Sequence, residues 1–208
     1  MIQLVFATAY TKTVDGEEQL AFGYQNDLPW KRISQDMSNF KSRTKETILI
    51  MGANTFASLP RKLDGRIHIV VCDPSRELPV TKISKSKANI YISESTFNGF
   101  LDNESFELNY TDDYPWPHIF NRTANKYSII GGKSLIEASL DKVDKIVYTT
   151  IRKKHHVVSD VQLNMQKIKK MQNERNMTSS SWWYIDELTE LSESVYEGQK
   201  EYVHPNFN

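Results

Sequence analysis

The chain has 208 residues, enough for one domain with a sizeable core and some embellishment. Lys plus Arg and Asp plus Glu each total 26, so the formal net charge is zero, and nothing in that balance calls for nucleic acid or an anionic membrane as the main partner. Cys72 is the one cysteine, which excludes an internal disulfide framework and any zinc cluster built on paired cysteines.

The N-terminus, MIQLVFATAY, lacks the basic leader of a secretion signal, and no apolar run approaches the ~20 residues of a membrane span. The sequon-like triplets at Asn103, Asn109, Asn121 and Asn176 are therefore read as chance, and the expected location is the cytoplasm. A first strand is expected over residues 4–7. The turn-rich loop Gly23-Tyr24-Gln25-Asn26-Asp27-Leu28-Pro29-Trp30 follows, with apolar Leu28 and Trp30 able to close over a ligand. Ser34 is expected to cap a helix that carries Asp36, Met37, Phe40 and Lys41 and ends near Arg43. Further β-branched runs, at 48–51, 67–71, 90–92, 127–130 and 145–148, are bounded by Gly, Pro, Asp or Ser and read as strands. A polar connection with Pro74 and Pro79 spans 73–87, and a helix is expected from Gly132 through Leu135, Ile136 and Leu140. Residues 98–125, with Tyr114-Pro115-Trp116-Pro117, read as a long surface loop, and 152–181 as a polar, basic stretch. Strand character returns at 182–185 and 195–196. Unbroken apolar runs favour a sheet covered on both faces, so the fold expected is α/β with a mainly parallel sheet.

Asp36 is the most informative single residue. It shares a helical stripe with Phe40, where an ionised carboxylate is costly unless paired or hydrogen-bonded. The bland reading places it in the first turn, stabilised by the helix dipole. In Ile50-Met51-Gly52-Ala53-Asn54-Thr55-Phe56 a strand runs into a glycine, and Asn54 or Thr55 is expected to cap the next helix; its amides can take an anion. Ile129-Ile130-Gly131-Gly132-Lys133-Ser134 has the same logic with two glycines, so backbone can approach phosphate. The first glycine of a triphosphate-binding loop would fall at Tyr127, and no G-x-G-x-x-G occurs, so neither a P-loop nor a Rossmann fingerprint is present. Arg66, entering a strand after Asp64-Gly65, has the planar fork that grips a carboxylate. The run Arg152-Lys153-Lys154-His155-His156 lacks an aromatic platform for nucleic acid, and adjacent histidines on an extended strand point apart, so no metal is assigned.

Taken in order, Leu28-Pro29-Trp30, Asp36 with Phe40, Ile50-Met51-Gly52, Asn54-Thr55-Phe56 with Ser58-Leu59, Gly65-Arg66, Ile130-Gly131-Gly132 and Tyr148-Thr149 resemble the dihydrofolate reductase family, in particular the form carried by T-even-like bacteriophages. The resemblance covers most of the chain to about residue 160 and loosens beyond. It implies a dihydrofolate reductase-like fold: a parallel centre flanked by helices and an antiparallel C-terminal strand. One domain is expected over 1–208, with a long insertion at about 98–125 and a variable region from about 152. It further implies NADPH-dependent reduction of dihydrofolate to tetrahydrofolate, with both molecules as partners; a homodimer stays open.

By the same resemblance Asp36 holds the pterin 2-amino group and N3, and Thr149 hydrogen-bonds that carboxylate. Val5, Phe6 and Ala7 face the pterin and nicotinamide. Phe40, Ser58, Leu59 and Leu63 contact the substrate rings, and Arg66 clamps the glutamate carboxylate. Gly52, Asn54, Thr55, Ile130, Gly131, Gly132, Lys133 and Ser134 bind cofactor phosphates, while Leu28 and Trp30 belong to a loop shielding the nicotinamide. Two departures bear on the cofactor. Ala53 stands where a basic residue is common, and Ser75-Arg76, which resembles a pair that reads the 2′-phosphate, follows an inserted Cys72-Asp73-Pro74. Two rival readings remain: a reductase of the same fold acting on a ribosylated aminopyrimidine, and a structural or interaction protein that keeps a reductase fold.

Overall fold

The structure is a computed structural model, and it describes residues 1–112 and 114–200. The expected domain therefore runs past the described residues at 201–208, and the 98–125 segment includes one residue, Asp113, outside them. Chain order begins with β1 (Ile2–Lys12), β2 (Glu18–Gly23), α1 (Ser34–Arg43), β3 (Ile48–Gly52), α2 (Ala53–Ser58), β4 (His68–Val71) and β5 (Ile90–Ile92). It continues through α3 (Glu94–Leu101), β6 (Phe106–Leu108), β7 (His118–Phe120), β8 (Tyr127–Ile129), α4 (Lys133–Ser139) and β9 (Lys145–Lys153). Last come β10 (Val161–Leu163), α5 (Met165–Glu174), β11 (Arg175–Asp186) and β12 (Thr189–Gln199).

Over the described residues the main sheet runs β11-β12-β9-β1-β8-β3-β4-β5, with β2 and β10 branching from β1. The pairs β9-β1, β1-β8, β8-β3, β3-β4 and β4-β5 are parallel, as the unbroken apolar runs imply. The C-terminal antiparallel strand arrives as a pair, β11 and β12, with β12 antiparallel to β9. Burial explains why these strands carry no polar face. Ile2, Leu4 and Phe6 point to a core with Phe97 and Phe100 of α3, Leu135 and Ile136 of α4, and Ile168 and Met171 of α5. On the other face Val5 meets Phe40 of α1, and Leu49 and Met51 meet Phe56 of α2.

Four local expectations need correction. Residues 98–125 are not a structureless loop: they begin inside α3 and contain the β6-β7 hairpin. Neither Phe106-Glu107-Leu108 nor His118-Ile119-Phe120 forms a β-branched run of the kind that marks the parallel strands. An aromatic cluster fixes them, with Phe100 and Phe120 stacked at 3.9 Å and Tyr127 edge-on to both. Residues 152–181 hold β10, α5 and the start of β11. Helix α5 is polar because only Ile168 and Met171 are buried, and Asn164 caps it by accepting from the N–H groups of Gln166 and Lys167. Ser34 is the first helical residue rather than the cap, which falls at Ile33 without a side-chain hydrogen bond. Asn54 and Thr55 lie inside α2, whose cap is Gly52.

Candidate active site

The sheet opens beside β1. Its ladder to β8 ends at Leu4 opposite Ile129, whereas its ladder to β9 runs on to Tyr10 opposite Arg152. Between Leu4, where the β8 ladder ends, and Ala9, where pairing with β2 begins, one edge of β1 faces a cleft instead of a strand, at the place where the chain order of the sheet reverses. This cleft holds about 1240 Å³, more than the ~300–1,000 Å³ of a site for one drug-sized molecule, so it has room for two ligands side by side.

At one end lie Val5, Phe6 and Ala7 of β1, Thr149 of β9, and Asp36 and Phe40 of α1. Asp36 is 8% exposed. Burial pushes its carboxyl up to about 6; the Trp30 indole opposes this and the Glu193 carboxylate adds to it. The Trp30 N–H is close enough to favour the charged form, yet it is buried without a hydrogen-bond partner. Among the described residues, no hydrogen bond joins Thr149 to Asp36. Met37 is half out of the protein, so the apolar stripe of α1 is narrower than its sequence suggests.

The other end is built from backbone. The Gly52 N–H donates to the Gly131 carbonyl at 2.9 Å, so the β3-α2 and β8-α4 turns touch directly. Gly131 has φ +147, and a Cβ there would lie 3.0 Å from Thr55 Oγ1. A Cβ on Gly52 would lie 3.4 Å from the Gly132 nitrogen. Neither α2 nor α4 has a side chain closing its first turn, which leaves amide donors available where both helices meet the cleft. Gly52, Asn54, Thr55, Ile130, Gly132, Lys133 and Ser134 line this end, and Gly131 sits just behind them, its carbonyl held by Gly52. Ser58 and Leu59 line the wall between the two ends. Leu28 and Trp30 come from the loop after β2, with Leu28 43% exposed at the mouth and Trp30 buried.

Three expected residues do not face the cleft. Leu63 packs beside Leu59 under β4, and its N–H donates to His68 Nε2 at 3.0 Å. Arg66 reaches back to the Lys41 carbonyl through Nη2 at 3.4 Å. Arg76 is 83% exposed and paired with Asp73, which also accepts from the Ser75 N–H and hydroxyl. Asp73 thus supplies the carboxylate that occupies both residues.

The cleft also takes residues that the sequence reading passed over. Asp73, Ser93, Glu94, Glu137 and Asp160 contribute to its lining, and so does Glu193 on β12. Glu193 is 4% exposed and held by Arg43 at 2.6 Å. Alternation alone could have found it, since Leu191, Glu193 and Val195 share one strand face and the two flanking residues are buried. Among the described residues no group of three or more His, Cys, Asp or Glu is placed to hold a metal, and no helix is long and apolar enough to cross a membrane.

A family model described as dihydrofolate reductase matches residues 11–182. Dihydrofolate reductase type 9 of Escherichia coli is 32% identical over 83% of this chain and 79% of that protein. The type A10 enzyme of Escherichia coli is 27% identical, over 85% and 81%. A solved dihydrofolate reductase from Enterococcus faecalis, complexed with NADP(H) and RAB-propyl, shares the fold with a TM-score of 0.64 over 97% of each chain, at 16% identity.

Proposed function

The chain belongs to the dihydrofolate reductase family, and we propose that it reduces 7,8-dihydrofolate to 5,6,7,8-tetrahydrofolate with NADPH. The observation that carries this reading is Asp36: a buried carboxylate, raised to about 6, beside Thr149 in a cleft large enough for two ligands. The residues present suit a dinucleotide. Gly131 leaves no room for a side chain, Gly52 and Gly132 bring backbone close where two uncapped helix starts meet, and Lys133 adds a cation there. Gly52, Asn54, Thr55 and the turn from Ile130 to Ser134 would hold the cofactor's phosphates. When bound, NADPH supplies a hydride to pterin C6.

The chain's own residues do the rest. Asp36 accepts from the pterin 2-amino group and N3, fixing the ring's orientation, and Thr149, which lines the same cleft without a hydrogen bond to Asp36, offers its hydroxyl to the same amino group. With its carboxyl raised to about 6, Asp36 is charged at neutral pH and favours protonation at N5, with water carrying the proton. Phe6, Phe40 and Leu59 hold the rings apolar and keep bulk water out. Leu28 and Trp30 close over the reacting rings from the loop after β2. For Arg66 to clamp a substrate carboxylate it must leave the Lys41 carbonyl, a long contact that a charge-assisted pair outcompetes. Leu63 shapes the wall behind Leu59.

Following NADPH oxidation with and without dihydrofolate, then with methotrexate, tests this reading. Turnover that requires dihydrofolate and stops with methotrexate supports it. Oxidation with a ribosylated aminopyrimidine instead would move the chain to that reductase class, and no NADPH binding at all would leave a structural role. We also read the chain as one domain, placed in the cytoplasm, of the host cell if a T-even-like phage encodes it. Sedimentation separates the monomer from a homodimer.

A further inference from the structure

Glu193 lies opposite Thr149 in the β9-β12 ladder, and antiparallel partners present their side chains to one face. Thr149 in turn lies opposite Ala7 of β1. That face is covered by α1, whose Phe40 packs with Val5, Val147 and Val195. Glu193 is therefore sealed between two buried apolar neighbours, Leu191 and Val195, and still lines the cleft that holds Asp36. A carboxylate left without a partner there carries a desolvation cost.

Arg43 is that partner. Its Nη2 and Nε donate to the same oxygen, Oε1, at 2.6 and 3.0 Å, and Glu193 Oε2 has no hydrogen-bond partner among the described residues. Arg43 is the last residue of α1, seven positions after Asp36, so both lie on one stripe, two turns and ~10 Å apart along the axis. One helix thus carries the acid of the site and the cation that anchors its neighbour.

We propose that the Arg43–Glu193 pair is a positioning device for Asp36: the Arg43 guanidinium fixes the Glu193 carboxylate on the wall of the cleft, and the fixed pair tunes the acid chemistry of Asp36. The proposal rests on the reading of Asp36 as the pterin acid. Around the cleft stand Asp27 on the loop before α1, Asp73 after β4, Glu94 on α3, Lys133 and Glu137 on α4, and Asp160 before β10. Lys41 shares α1, and Lys31 and Arg32 precede it, all three exposed. Of these charged groups, it is the Glu193 carboxylate that raises the proton affinity of Asp36. The strands β1 and β9 present only Val5, Phe6, Ala7 and Thr149 to the cleft.

The test compares the pH dependence of hydride transfer in the wild type, Glu193→Gln, Arg43→Met and Arg43→Lys. Glu193→Gln is expected to move the inflection roughly one pH unit lower, which makes the step about tenfold slower near pH 7.5, on the alkaline side. Arg43→Met leaves Glu193 uncompensated and is expected to move it higher, with Arg43→Lys close to the wild type. Loss of packing alone would lower the rate at every pH and leave the inflection in place, and that result overturns the proposal. A carboxyl-carbon NMR titration of Asp36 in the free protein gives the second readout. It stays informative if dihydrofolate proves not to be the substrate, and an unmoved or upward-moved Asp36 titration in Glu193→Gln also overturns the idea.

Discussion

Asp36 shows how much one residue's surroundings change its meaning. An aspartate in the first turn of a helix is ordinarily a dipole-stabilised surface acid. Here the rest of the fold buries it, Trp30 and Glu193 flank it, and its proton is held to about pH 6. Asp36→Asn is expected to slow hydride transfer by orders of magnitude near neutral pH while NADPH binding persists, as stopped-flow kinetics and fluorescence titration would show. Near-normal turnover would remove Asp36 from the mechanism. Gly131 makes the complementary case, because its importance is an absence. Gly131→Ala would force a side chain onto a φ of +147 and 3.0 Å from Thr55 Oγ1, prising the two glycine turns apart. Its expected outcome is NADPH binding weakened at least tenfold and a lower melting temperature. Both residues were legible as types of residue in types of place. The partners that give them their chemistry were not, since Arg43 and Glu193 meet from 150 positions apart.

Among the elements, the long parallel strands were read with little error. A run such as Leu49-Ile50-Met51 is buried on both faces wherever it sits, so its composition is set before its neighbours are known. The β6-β7 hairpin was missed for the converse reason. Strands β6 and β7 exist because Phe106 and Phe120 find Phe100 and Tyr127, a set of contacts that no local period encodes. The start of β11 depends on tertiary contact in the same way. Arg175 is 4% exposed and donates through Nη2 to the Leu140 and Val143 carbonyls, both at 2.8 Å, fastening the strand to the end of α4. Burial lowers its proton affinity, but no ordinary pH removes that charge. Arg175→Met would leave two carbonyls unpaired, and the expected loss is about 2–4 kcal/mol in urea unfolding. A change under 0.5 kcal/mol would mean water replaces the guanidinium without penalty.

At the scale of the molecule, two buried groups pull stability in opposite directions with pH. His68 is fully buried and neutral: its Nε2 accepts from Leu63, its Nδ1 has no partner, and burial lowers its pKa to about 4 from the usual 6.5. The unfolded chain binds that proton first, so stability from His68 is present above pH 6.5 and falls away as pH drops toward 4. Asp36 works the other way. Its folded value near 6 lies above the ordinary 3.8, so its contribution is full below pH 3.8 and is lost as pH rises through 6. Each effect is of order 3 kcal/mol, and over pH 4–6.5 they largely cancel. Denaturant melts of Asp36→Asn should therefore gain stability steeply from pH 4 to 6.5, where the wild type is nearly flat. A flat profile in the variant would show that His68 is not held neutral.

Local sequence was enough for the parallel strands, the two glycine turns and the acid on the apolar stripe of α1, because each depends on a few consecutive residues and on which face they present. What stands opposite each face was decided only by the tertiary structure. Strand order brought Glu193 against Thr149, and the turn after Cys72 set Ser75 and Arg76 against Asp73. The early end of the β1-β8 ladder opened the cleft. Register and strand order are properties of distant pairs, and a local pattern of apolar and polar residues carries no record of them.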